Sequence, residues 1–263
     1  MKLTVLVDNN TFIDNYYFGE PGLSFYIEDQ DNKILFDTGY SNIFIQNANK
    51  LNIDLTKIDY LVLSHGHNDH TGGLQYLKDY DLSNVKLISH PNVFIPRVNE
   101  GLQIGSPIEL SELKVKEYID GTSSYKINDN LYFLGQIKRS NDYEGKGIGT
   151  LNDGSIDLVL DDTALAYKTS KGIFIITACS HSGICNIVEQ AKRLLNDNRI
   201  IGIIGGFHLL SNDEQIDKTI EYFKDNNIDN LYPCHCISFY NKAKMMKYAT
   251  VHEVGVGLSL DID

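Results

Sequence analysis

The chain has 263 residues, 42% hydrophobic and 22% charged, which suits one large α/β domain with a substantial core. Its 23 basic against 35 acidic side chains give a formal charge of −12, which argues against a nucleic-acid partner, because phosphate binding needs a basic face. No apolar run approaches the roughly 20 residues of a membrane span, and Met1 to Asp8 reads as a first strand rather than a signal peptide, so a cytoplasmic protein is expected.

In chain order, strands are expected at Leu3 to Val7, Ser24 to Glu28 and Lys33 to Phe36, the last two joined by a turn at Asp31-Asn32. Residues 41 to 51 carry the apolar spacing of a helix in Ile43, Phe44, Ala48 and Leu51. Residues 58 to 63 form a strand, Gly73 to Tyr80 a helix and Val85 to Ser89 another strand. Residues 92 to 155 are less regular and hold Pro96, Pro107 and many glycines, with short strands near 113 to 118 and 131 to 134. This stretch reads as an insertion or lid within a single domain. Gly145-Lys146-Gly147-Ile148-Gly149 resembles a phosphate loop only superficially, because no strand-to-helix transition surrounds it. Strands resume at Leu158 to Leu160, Ala164 to Lys168 and Gly172 to Thr177, and a helix at Gly183 to Leu195. A strand at Ile200 to Ile204, a helix at Asp213 to Asp225 and a strand at Ile228 to Tyr232 follow. A helix at Ser238 to Tyr248 and a strand at Val251 to Val254 close the pattern, which is that of an α/β architecture.

The most informative stretch follows the strand at residues 58 to 63. Ser64-His65-Gly66-His67-Asn68-Asp69-His70 packs three imidazoles and a carboxylate into six positions, and these are ligands for zinc, iron or manganese. His65 and His67, two apart, project to the same side of an extended or turning backbone. Asp69 and His70 fall where a new element begins, so the two pairs suit two adjacent ions better than one. His181 and His235 also follow apolar strands, after Thr177 and Tyr232. Cys179, Cys185, Cys234 and Cys236 lie near these histidines and suggest a reduced compartment rather than a disulfide framework. The thiols flanking His235 are alternative soft ligands, with the histidine preferred. His208, after Gly205-Gly206-Phe207, reads as a substrate-facing or proton-donating residue, and Arg139 as a residue able to hold a substrate phosphate or carboxylate. His90 and His252 stand apart from these clusters and read as structural.

The His65 to His70 segment resembles the metal-binding motif of the metallo-β-lactamase superfamily. Ile34-Leu35-Phe36-Asp37-Thr38-Gly39, Asp161-Asp162-Thr163-Ala164-Leu165, Cys179-Ser180-His181-Ser182-Gly183-Ile184, Gly205-Gly206-Phe207-His208-Leu209 and Pro233-Cys234-His235-Cys236 follow in that family's order. They are most similar to the branch named for 7,8-dihydropterin-6-methyl-4-(β-D-ribofuranosyl)-aminobenzene-5'-phosphate synthase. The resemblance implies a four-layer αββα sandwich of two mixed sheets between outer helices. It implies two divalent ions, zinc foremost and iron or manganese as alternatives. One ion would take His65, His67 and His181, the other Asp69, His70 and His235. The strand end Thr177-Ala178-Cys179 lacks the bridging aspartate found in much of the family, and Asp162, or with less support Asp161, is the candidate replacement. The expected activity is water activation against a small phosphorylated or pterin-type substrate, with Asp69 as proton acceptor and His208 as donor. Lactone or thioester hydrolysis is the nearest alternative. A redox di-iron protein and a non-catalytic metal-binding protein stand further off.

Overall fold

The computed structural model describes residues 1–211 and 214–263. Its strands are β1 (Lys2–Val7), β2 (Ser24–Asp29), β3 (Asn32–Phe36), β4 (Tyr60–Val62), β5 (Lys86–Ser89), β6 (Arg97–Asn99), β7 (Leu102–Gln103), β8 (Glu117–Asp120) and β9 (Tyr125–Lys126). They continue as β10 (Leu131–Phe133), β11 (Thr150–Leu151), β12 (Ala164–Lys168), β13 (Ile173–Thr177), β14 (Ile200–Gly205), β15 (Asn230–Pro233), β16 (Thr250–Val251) and β17 (Ser259–Asp261). The helices are α1 (Ile43–Lys50), α2 (Asn68–Thr71), α3 (Ile184–Leu195), α4 (Glu214–Asp225) and α5 (Phe239–Met245). None of them is long and apolar enough to cross a membrane.

Two compact units share these elements. The first comprises Met1–Thr122, Ile148–Asp157 and Val254–Asp263. Its main sheet has the order β17-β1-β2-β3-β4-β5-β8, antiparallel at β17-β1-β2-β3 and parallel from β3 to β8. Strands β3 and β4 are apolar because they are buried, and α1 turns Phe44 and Ala48 into the same core as Leu35, Leu61 and Leu87. Parallel pairing of β3 with β4 sets their C-terminal ends side by side, so Asp37 and Ser64 emerge at one edge.

The second unit comprises Ser123–Gly147 and Leu158–Glu253. Its sheet runs β16-β15-β14-β13-β12-β10-β9, parallel from β13 to β16 and antiparallel from β13 to β9. Ile184, Ile187, Val188, Ala191 and Leu195 are buried along α3, as the helical spacing requires. The N-terminus of α3 takes its cap from far along the chain: buried Glu144 accepts from the backbone N–H groups of Cys185 (3.0 Å) and Asn186 (3.2 Å).

Most expected elements are present, the strand near 113 to 118 falling at Glu117–Asp120 and the last helix ending at Met245, and some differ more. Residues 158 to 160 are not a strand, because Val159 has a left-handed φ of 50° and the Leu158 and Val159 carbonyls turn towards Arg139. The helix expected at Gly73 to Tyr80 is a tight 3₁₀ turn over Gly72–Tyr76, where two glycines weaken the α-helical preference. The final strand shortens to Thr250–Val251, and Ser259–Asp261 adds an edge strand whose three residues carry no alternation long enough to read. The expected start of the fourth helix at Asp213 lies outside the described residues. Residues 92 to 155 hold β6, β7 and β11, which form a small sheet, the edge strands β8 and β9, and β10, which pairs with β9 and β12.

Within the first unit Arg97 is fully buried and pairs with Asp157, Nε to Oδ2 at 2.6 Å. A side chain at Gly66 would collide with Arg97 Nη1 and the Val93 carbonyl, so the guanidinium packs directly against the histidine loop. Truncating one member of a buried pair strands the other charge. Asp157→Ala is therefore expected to lower unfolding free energy by about 3–5 kcal/mol in urea titration, while Arg97→Met with Asp157→Leu loses much less. A loss below about 1 kcal/mol for Asp157→Ala would contradict a desolvated pair.

Candidate metal centre

The histidine loop begins where β4 ends, and the Asp37 side chain organises it. Asp37 sits after β3 at a φ of 59°, a left-handed conformation that a non-glycine residue holds only when its surroundings enforce it. Its Oδ1 accepts from the Ser64 backbone N–H at 2.8 Å, and its Oδ2 accepts from Ser64 Oγ at 2.6 Å and His70 Nδ1 at 2.8 Å. Thr38 grips the same loop through its N–H and Oγ1, both donating to the His70 carbonyl at 2.8 and 3.0 Å.

These bonds assign the tautomers. Ser64 has one hydroxyl proton, which goes to Asp37, so it accepts from His65 Nδ1 at 2.9 Å. His70 likewise donates through Nδ1. Both rings then offer Nε2 as a lone pair, and a histidine ligand whose other nitrogen is held by a carboxylate or hydroxyl is the usual arrangement around bound metal. His65 Nε2 lies 3.2 Å from His67 Nδ1, close to the ~3.3 Å between two nitrogens bound to one tetrahedral zinc at their usual 2.0–2.1 Å.

His65, His67 and Asp69 each present a ligand atom, all within 4.8 Å of one another. His65 and His70 are fully buried, whereas the Asp69 side chain is 31% exposed, with Oδ2 at 3.8 Å from His70 Nε2. Burial pushes the His67 pKa down to about 4, against the opposing pull of Asp69 and with the help of Arg97. Its ring is thus neutral at physiological pH, the form that binds metal. A cleft of about 300 Å³ opens on His67 and Asp69, walled by Pro21, Tyr40, Asn68, Asn99, Ile104 and Ile148, and its lining has no lysine or arginine. A cleft of about 420 Å³ in the same unit, lined by Thr56, Asp79 and Asn84 among others, has no histidine or cysteine in its wall and carries no comparable chemistry.

The second unit places its own donors after three successive parallel strands. His181 follows β13, His208 follows β14 and His235 follows β15. The His181 and His208 rings lie 4.4 Å apart, and Cys179, His208 and Cys236 offer ligand atoms within 4.8 Å of one another. Burial alone would lower the His208 pKa, but the Cys236 thiol beside it and the Asp162 carboxylate raise it overall. Burial would raise the Cys236 thiol, yet its contacts with Cys179 and His208 hold it well below the ordinary cysteine value.

Asp162 is fully buried. Its Oδ2 accepts from Ser182 N (2.9 Å) and Ser182 Oγ (2.5 Å), and burial lifts its pKa to about 6 despite those bonds. Its Oδ1 is buried without a hydrogen-bond partner. Arg139 donates through Nη2 to the Leu158 and Val159 carbonyls, so that nitrogen is engaged with its own backbone. His90 accepts from Asn92 N at 3.1 Å, and His252 stacks on Tyr232 at 4.1 Å and bonds Asn230, both structural arrangements. The sequence marks Asp37 only as part of a motif, and it gives no sign of the roles of Ser64 or of the contact between Cys179 and Cys236. The spacing of a sequence reveals ligands that are neighbours, not the residue that orients them from 27 positions away.

An α/β scaffold that aims carboxylate-held imidazoles from a strand-end turn has the chemistry of a divalent-metal site in a hydrolase-like fold. A model of the metallo-β-lactamase superfamily matches residues 17–195, and the chain belongs to that superfamily. An uncharacterised protein of Methanocaldococcus jannaschii is 36% identical over 250 residues, covering 92% of this chain and 93% of its own. From the same organism, 7,8-dihydropterin-6-methyl-4-(β-D-ribofuranosyl)-aminobenzene-5'-phosphate synthase is 29% identical over 259 residues, covering 91% of this chain and 88% of its own. The crystal structure of Tm1679, described as a metal-dependent hydrolase of the β-lactamase superfamily, is similar with a TM-score of 0.85 and 28% identity, covering 100% of this chain and 99% of that one.

Asp37→Ala should release His70 and the Ser64–His65 pair while leaving every ligand in place. Zinc affinity, measured by competition with a chromophoric chelator, is expected to fall about 10- to 100-fold with the circular-dichroism spectrum retained. Unchanged affinity would show that Asp37 does not orient the ligands.

Proposed function

We propose that this protein is a metal-dependent hydrolase that uses a dinuclear site to activate water against a small phosphorylated substrate, of phosphoester or pterin type. The observation that carries the reading is the convergence of His65, His67 and Asp69 beside a His70 ring held by Asp37. The ligand sets implied by the resemblance, His65, His67 and His181 for one ion and Asp69, His70 and His235 for the other, are part of the proposal, with Asp162 as a further candidate. Neutral imidazoles and a carboxylate suit zinc first, and iron or manganese as well. When bound, such ions supply Lewis acidity and lower the pKa of water towards neutrality.

The chain's own residues then have separable tasks. His65 and His70 present Nε2 because Ser64 and Asp37 hold Nδ1. Asp69, the more exposed carboxylate at the mouth of the cleft, is the acceptor for the proton of the attacking water. Tyr40 and Ile104 in the cleft wall exclude water from one side of the substrate. For the leaving-group proton, His208 is the expected donor.

The relative with the phosphate-bearing dihydropterin name and the relative described as a metal-dependent hydrolase both support this class of chemistry. A second reading, hydrolysis of a neutral lactone or thioester, is favoured by the absence of lysine and arginine from the cleft lining. The metal-loaded protein should therefore be assayed against bis(4-nitrophenyl) phosphate, an acyl-homoserine lactone and an acyl thioester. Phosphodiester turnover that is lost on chelation and falls more than about 100-fold in His67→Ala is expected. Turnover of the lactone or thioester alone would favour the second reading, and metal-independent turnover would overturn both.

A further inference from the structure

We propose that the cleft over His67 and Asp69 seats an uncharged, partly apolar arm of the substrate and rejects an anionic one, with Tyr40 and Asn99 as its specificity-determining residues. The inference rests on the reading of the His65 to His70 loop as the metal site at which the reactive end of the substrate lies. It goes further by naming the chemistry of the part that does not react.

The lining carries that chemistry. At about 300 Å³ the cleft is at the small end of ligand pockets. Its wall is apolar at Pro21, Ile104 and Ile148 and at the half-exposed Tyr40 ring. Its charged group is Asp69, since burial keeps the His67 ring neutral at physiological pH. Asn68 is spent on the chain itself: its N–H donates to the Ile104 carbonyl at 2.8 Å and its Nδ2 to the Gln103 carbonyl at 3.2 Å. The Tyr40 hydroxyl and the Asn99 carboxamide remain as the neutral hydrogen-bonding groups of the wall. A carboxylate or second phosphate entering here would leave water, meet Asp69 and find no cation among the lining residues. An amide or hydroxyl would find both a donor and an acceptor in Asn99 and Tyr40.

The two specificity residues are held in place by their backbones. Tyr40 N and Ser41 N both donate to Glu20 Oε1, at 2.9 and 3.0 Å, and Ser41 Oγ donates to Glu20 Oε2 at 2.6 Å. A Cβ at Gly72 would collide with the Tyr40 carbonyl, and one at Gly22 would lie 2.8 Å from the Asp69 carbonyl oxygen. The Tyr40 backbone is thereby fixed against the metal loop. Asn99 lies on β6, and residues 148 and 149 pack beside it. Ile148 N donates to the Asp157 carbonyl at 2.8 Å. Gly149 has a left-handed φ of 68°, and a Cβ there would lie 2.6 Å from the Val98 carbonyl oxygen and 3.3 Å from Asn99 Cβ. The last glycine of the Gly145 to Gly149 run thus serves the close packing of the cleft wall, a role unrelated to phosphate.

The test uses the zinc-loaded protein and two phosphonates that differ in one group, 4-carbamoylphenylphosphonate and 4-carboxyphenylphosphonate, with binding measured by isothermal titration calorimetry. The amide is expected to bind more than about 10-fold tighter than the carboxylate. Asn99→Lys puts a cation into the lining and is expected to cut that preference by about 10-fold or more. Tyr40→Ala is expected to weaken binding of the amide. Equal affinities, a tighter carboxylate, no binding of either probe, or a preference untouched by both substitutions would overturn the proposal. The first comparison is made on the unaltered protein, so it decides the matter even where a variant fails to fold. Turnover of bis(4-nitrophenyl) phosphate is recorded on the same sample. Its absence with the amide preference intact would defeat the hydrolase reading and leave the cleft assignment standing.

Discussion

The Asp37 carboxylate accepts from Ser64 N, Ser64 Oγ and His70 Nδ1 at 2.6 to 2.8 Å in a fully buried setting, and the geometry of the histidine loop rests on those bonds. A charge held there without partners would be expensive, so the loop and the carboxylate stabilise each other or neither forms. Through Ser64 the same group fixes the His65 ring. A single side chain thereby sets the orientation and tautomer of two potential ligands that are five residues apart. Parallel pairing of β3 with β4 is what brings it there, since it places both strand ends at one edge of the sheet.

Behind the loop lies a second constraint of the same kind. Gly66 has no side chain because Arg97 occupies the space, and Arg97 is tolerated in the interior because Asp157 neutralises it. Burial there also helps keep the His67 ring neutral, so packing and ligand chemistry are one arrangement. The second unit repeats the strategy with different atoms. Hydrogen bonds between successive strand-end loops hold left-handed residues in place and gather sulfur and imidazole donors.

Much of this was legible in the sequence, for identifiable reasons. Apolar strands such as Ile173–Thr177 and amphipathic helices such as Ile184–Leu195 follow local periodicity, and the dense run from His65 to His70 is its own signal. Superfamily membership followed from the order of the motifs, and the matching family model bears it out. What escaped was non-local. Glu144 caps α3 from 41 residues away, and Arg97 meets Asp157 across 60, and no spacing rule reaches that far. Leu158 to Leu160 has the composition of a strand, but the left-handed Val159 overrides propensity with a tertiary demand. The thiols of Cys236 and Cys179 that neighbour His208 lie 28 and 29 positions away in the chain, beyond the reach of any spacing rule.

The central claim is that the His65 to His70 loop, oriented by Asp37, binds divalent metal. A crystal structure of zinc-soaked protein, with anomalous scattering recorded on both sides of the zinc edge, tests it most directly. The account predicts a zinc peak within coordination distance of His65 Nε2 and His67, with Asp37 still bonded to His70 Nδ1. Zinc-soaked crystals with no anomalous peak at that loop, or with His70 ligating through Nδ1 and Asp37 released, would contradict it.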